Sequence, residues 1–97
     1  MSELPAPSGM TQINVRCEPA GNGWRCHVDL QATRHEVSVA RADLERLAPG
    51  ATDPEDLVRR SFAFLLAREP ETSILRSFDL TVIATYFPEY EGEIRRA

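Results

Sequence analysis

Residues 11–40 read TQINVRCEPAGNGWRCHVDLQATRHEVSVA, and the fold turns on how this stretch is divided. Ile13, Val15 and Cys17 alternate with Gln12, Asn14 and Arg16. Trp24, Cys26, Val28 and Leu30 alternate with Arg25, His27, Asp29 and Gln31, and then Val37 and Val39 alternate with Glu36 and Ser38. A period of two puts each apolar set on one side of a strand, which predicts a sheet with one buried and one wet face. EPAGNG at 18–23 and QATR at 31–34 read as turns, so the three strands form an antiparallel meander. Centring the second turn on Ala32 and Thr33 sets Val28 opposite Val37 and Cys26 opposite Val39, apolar against apolar. A six-residue first turn pairs Cys17 with Trp24 and leaves the two cysteines diagonal.

In that register Cys17 and Cys26 are expected as buried free thiols, because an unpaired cysteine packs as a small hydrophobe. A disulfide is the alternative, and it needs Cα atoms within about 7 Å and an oxidising compartment. Neither cysteine lies in a CxxC motif or beside a basic group on its own face, which argues against a redox or nucleophilic role. Cys17, Cys26, His27 and His35 lack zinc-site spacing, and His27 points away from Cys26, so no metal is expected. Each histidine is assigned to the wet face or the end of the sheet.

Beyond residue 40 the apolar period becomes helical. Leu44 and Leu47 are three apart, with Pro49 and Gly50 as a stop. Next, Asp53 caps a longer helix with Pro54 at its first position, and Thr52 with Glu55 offers a competing capping box. Asp56, Arg60, Ala63 and Ala67 form its polar-to-small stripe, and Leu57, Val58, Phe62, Phe64, Leu65 and Leu66 fill most of the rest. Such a helix is more than half buried, crosses the sheet, and needs a second cover on its far side.

Pro70 ends that helix near Arg68, a residue suited to the negative end of the helix dipole. Thr72 or Ser73 then caps a short turn at 74–77, and Ser77 or Asp79 caps a further helix from about 79 to 87. A continuous helix over 74–87 is disfavoured. It would put Ile74, Leu75, Phe78, Val82 and Tyr86 on one side and Leu80, Ile83 and Phe87 on the other, which demands two partners. Pro88 opens a last, weaker helix through Tyr90 and Ile94. Residues 61–90, SFAFLLAREPETSILRSFDLTVIATYFPEY, resemble the C-terminal signature of a family of small bacterial proteins of unknown function. The resemblance implies a single-domain cytosolic protein and brings no catalytic or ligand residues with it.

Ninety-seven residues suit one domain with one core. MSELPAPSG is read as the start of a disordered tail over 1–10, with Met10 as an alternative start, and 11–97 as a single α+β domain: a three-stranded meander followed by helices packed on one face. All eleven basic residues are arginine, which reflects coding bias more readily than a demand for bidentate pairing. The net charge of −4 with scattered arginines argues against a nucleic-acid partner. No apolar run reaches the ~18 residues of a membrane span, and no secretory signal opens the chain, so the expected place is the cytoplasm.

Chemistry is sparse. Glu69, Glu71, Asp79 and Ser73 have no histidine nearby in sequence, and GNG at 21–23 lacks the helix and lysine of a phosphate loop. No enzyme activity, metal or cofactor is expected. The expected function is a small interaction or regulatory module, with an unknown protein partner or as a homodimer that covers the surplus apolar surface of helix 54–68. Glu69, Glu71, Arg76, Tyr86, Phe87 and Tyr90 are the candidate docking residues, the aromatics acting as anchors. The runner-up, by fold analogy alone, is an antitoxin-like or nucleic-acid-associated regulator.

Overall fold

The alternating segments form β1 (Asn14–Ala20), β2 (Gly23–Asp29) and β3 (Arg34–Ala40), paired antiparallel in chain order. The computed structural model describes residues 12–96, so the expected tail at 1–10 and the start at Met10 lie outside the described residues. Cys26, Val28, Val37 and Val39 are buried, while Arg25, Glu36 and Ser38 are exposed, as the period of two requires.

The register differs from the expected one by two residues in both hairpins. Cys17 faces Cys26 rather than Trp24, and Val37 faces Cys26 rather than Val28. The free-thiol expectation is therefore corrected: directly opposite each other, with Cα atoms 4.0 Å apart, the two cysteines form a disulfide. The cause lies in the turn. β1 runs on to Ala20 and leaves only Gly21 and Asn22 as the loop, with Gly21 at φ 59° and Asn22 at negative φ. Glycine first with positive φ is the type II′ arrangement, whose twist matches that of the flanking strands. Gly23 adds a second constraint, since a Cβ there would lie 2.0 Å from the Val39 carbonyl oxygen. Only glycine lets β2 approach β3 so closely.

α1 (Arg41–Leu47) follows β3 directly and buries Leu44 and Leu47. α2 (Glu55–Leu66) begins one residue later than expected, with the Asp53 carboxylate accepting the Glu55 N–H at 3.0 Å. It buries Leu57, Val58, Phe62, Phe64 and Leu65. The far side of α2 is covered from within the chain. α4 (Tyr90–Arg96) lies against it, and the Tyr90 ring meets Phe64 edge-on with centroids 5.2 Å apart. Arg68 secures this layer: its guanidinium stacks 3.6 Å from the Phe64 ring centroid and bonds to Glu89 and Glu93, at 3.2 Å each. The apolar surplus on which the expected homodimer rested is thus packed inside the molecule.

Residues 71–79 depart furthest from expectation. A single 3₁₀ turn occupies Glu71–Ser73, and Ser77–Asp79 is a strand, β4, parallel to β3 with Phe78 opposite Val37. The three-stranded meander is corrected to a four-stranded mixed sheet, order β1-β2-β3-β4. With the helices on its apolar face, the fold is α+β. The expected helix over 79–87 shrinks to α3 (Val82–Tyr86). Ser77 is a strand residue rather than a cap. Asp79 does not cap α3 either: its carboxylate accepts the Thr81 N–H at 3.1 Å and the Thr81 hydroxyl, in the turn that leads into the helix, whose N-cap is Thr81. Among the described residues no helix is long and apolar enough to cross a membrane.

Candidate functional site

Pro70 stops α2's course, and the chain then turns once: the Ser73 N–H donates to the Pro70 carbonyl at 2.9 Å. From Ile74 the backbone is extended, so neighbouring side chains point to opposite sides. Ile74 goes into the core and Leu75 stands 48% exposed. Two long-range contacts fix this segment to the sheet. His35, 3% exposed on the buried face at the sheet end, donates from Nδ1 to the Leu75 carbonyl at 2.7 Å, while its Nε2 meets the Thr33 hydroxyl at 2.8 Å. The Glu71 carboxylate accepts the Ala32 N–H at 3.1 Å and the Thr33 hydroxyl at 3.2 Å, closing the β2–β3 turn.

Between this segment, the end of α2 and α3 lies an apolar groove of about 250 Å³. Leu65, Ile74, Phe78, Val82, Ile83 and Phe87 supply its apolar lining. Leu75 and Tyr86, the exposed large hydrophobics among the described residues, flank it at 48% and 66% exposure. Glu69 and Ser73 supply the polar edge. Small-molecule and cofactor sites usually enclose ~300–1,000 Å³. This groove is smaller, and suits one or two apolar side chains of a partner.

The candidate docking residues separate into distinct places. Glu69, Tyr86 and Phe87 border the groove. Glu71 holds the turn at 30–33, a capping role that sequence reading had not given it. Tyr90 is 0% exposed and its hydroxyl lies 2.6 Å from Ser61 Oγ, so its ring belongs to the core. Burial raises the Tyr90 pKa to about 12. Arg76 opens onto a polar depression on the wet face of the sheet, with Arg16, His27, Arg34 and Glu36.

Leu75, Val82, Ile74 and Phe78 were absent from the candidate docking set, yet a signal for them existed. They are, with Tyr86, the residues that a continuous helix over 74–87 would gather on one side. The backbone is not one helix, but all five border the same groove.

Among the described residues the groove is lined by no pair of side chains placed as nucleophile and base. Ser73 has Glu69 nearby along the groove edge and no histidine, and His27 lies on the wet face beside Glu18, at 3.4 Å. Among the described residues no group of three His, Cys, Asp or Glu side chains could hold a metal ion. Asp79 is partly buried, which works to raise its pKa. Hydrogen bonds from the Thr81 hydroxyl and amide and the Ser38 hydroxyl outweigh that effect and hold it below the usual carboxylate value. Those bonds mark a structural carboxylate at the start of α3, not an acid poised to give up a proton at neutral pH. The chain matches no protein-family model, no curated protein and no solved structure.

Proposed function

We propose that this chain is a small non-enzymatic interaction module that receives an apolar anchor of a protein partner in the groove between α2, residues 73–78 and α3. One observation carries the reading: the two large hydrophobics left exposed among the described residues, Leu75 and Tyr86, flank the same groove. Glu69 on the edge makes no ion pair among the described residues, so the fitting partner is a short segment with an apolar side chain followed by Arg or Lys. Display selection of random peptides on the immobilised protein tests this. Selected sequences are expected to share that pattern, to lose binding on Leu75→Asp or Tyr86→Ala, and to favour acidic neighbours on Glu69→Arg. Selection of no consensus, or of one indifferent to Leu75 and Tyr86, rejects the reading.

A nucleic-acid-associated regulator is the second reading, supported by the depression that Arg16, Arg34 and Arg76 border on the wet sheet face. Arg16 and Arg76 form no ion pair among the described residues. Asp29 and Glu36 in the same depression weigh against it. Titration with duplex and single-stranded oligonucleotides at low salt decides the point, and no binding there removes this reading.

A further inference from the structure

We infer that two copies of this chain join through their β1 strands, edge to edge and antiparallel, centred on Cys17. β1 ends the sheet order, so one side of its backbone has no partner strand among the described residues. At seven residues it is the longer edge, since β4 has three. Such an edge is a template for another strand.

The hairpin geometry says which groups point outward. In a two-residue loop the flanking pair, Ala20 and Gly23, is the hydrogen-bonded kind. Alternation then makes Glu18–Arg25 and Arg16–His27 hydrogen-bonded pairs too, and turns the backbone of Val15, Cys17 and Pro19 outward. Two facts agree with this. Pro19, which has no N–H, sits where no bond within the sheet is lost. The Cα separation of 4.0 Å at Cys17 and Cys26 matches the closer, non-bonded spacing of ~4.5 Å rather than ~5.5 Å.

A two-fold pairing must bring outward residues face to face, which limits the register. Centred on Arg16, it opposes two arginines. Centred on Glu18, it opposes two glutamates. Centred on Val15, it sets Asn14 against Arg16 and shortens the overlap. Centred on Cys17, it sets Arg16 against Glu18 of the second copy, and by symmetry does so twice. Both residues are exposed on the wet face. In this register the two Cys17 residues exchange both backbone bonds, and each Val15 N–H reaches a Pro19 carbonyl. The edge matches itself in charge, and in backbone everywhere but at the two Val15 carbonyls, which Pro19 has no N–H to meet, so the partner it fits is a second copy of this chain. The groove takes no part.

Sedimentation of the full chain across low to high micromolar concentration tests the assignment, with Arg16→Glu, Glu18→Arg and the double charge swap. Wild type is expected to dimerise, each single reversal to weaken the dimer at least about tenfold, and the swap to restore it to within about threefold. Backbone hydrogen exchange on wild type gives a second readout: the Val15 and Cys17 amides should be protected at high concentration and not at low. A monomer throughout, a dimer indifferent to both reversals, or a dimer broken by Tyr86→Ala instead would overturn the inference. The charge-reversal and hydrogen-exchange results do not bear on peptide binding in the groove, whereas a dimer broken by Tyr86→Ala would place the second copy in the groove instead.

Discussion

Ser61 Oγ lies 2.6 Å from the Tyr90 hydroxyl, with both residues fully buried between α2 and α4. Ser61 has one proton, and it goes to the Leu57 carbonyl at 2.7 Å. The phenol must therefore donate to Ser61. Loss of either partner is then unequal. Tyr90→Phe removes the donor and leaves Ser61 bonded to Leu57, at about 0.5–1.5 kcal/mol, while Ser61→Ala strands a buried hydroxyl at about 1–3 kcal/mol. The double variant should recover part of the Ser61→Ala loss. Urea midpoints of the four proteins check the order.

The same hydroxyl makes stability sensitive to alkali. Burial raises the Tyr90 pKa to about 12 from an ordinary value near 10, so the folded state favours the protonated phenol. That contribution is complete below about pH 10 and is lost as pH climbs through about 12. Unfolding curves across this window should fall more steeply for wild type than for Tyr90→Phe. Parallel curves would contradict the assignment.

Gly23→Ala should be among the worst single substitutions in the chain. Its Cβ would meet the Val39 carbonyl oxygen at 2.0 Å, and that oxygen is backbone in the middle layer of the sheet. The expected loss is about 3 kcal/mol or more, seen as a large drop in thermal midpoint or as failure to fold.

Cys17 and Cys26, nine residues apart, close a short loop. Reduction, or the paired Cys17→Ser and Cys26→Ser change, should lower stability by about 2–3 kcal/mol on the chain-entropy account. Alkylation of protein taken from its native source, before any reductant, should find no free thiol. Disulfides persist in oxidising compartments and are rare in the cytosol, so this count also tests the cytoplasmic expectation.

Asp79→Asn probes the opposite end of the pH scale. Its carboxyl is held below the usual value near 3.9, so its contribution is present above that value and lost as pH falls through the lower, folded one. Stability of wild type should drop more steeply than that of Asp79→Asn below about pH 4. Equal slopes would show that the Thr81 and Ser38 bonds do not favour the charged form.

The faces of the sheet were legible because burial of one side imposes a period of two, and the core residues Val28, Val37 and Val39 follow from it. Register was not. A slip of two residues returns every side chain to its own face, so alternation accepts Cys26 against Val37 as readily as against Val39. The choice rests on the Gly21–Asn22 turn and on the absence of a side chain at Gly23, both of which were read as parts of one longer turn. β4 escaped for a different reason: three residues, Ser77, Phe78 and Asp79, are too few to show a period, and Ser77 and Asp79 are also good caps. The groove was half legible. Tyr86, Phe87 and Glu69 border it, whereas Glu71 and Tyr90 are engaged by residues 38–39 and 29 positions away, contacts that no local pattern encodes.

The parallel strand also sets an order of events during synthesis. Ser38 and its partner Asp79 are 41 residues apart, so β3 leaves the ribosome long before β4 exists to pair with it. Until then the nascent meander has, among the described residues, two edges without a partner strand, β1 and β3, and its apolar face lacks the helices. A three-residue strand, arriving late, closes the second edge. Its shortness makes that closure the step most exposed to competition from neighbouring nascent chains.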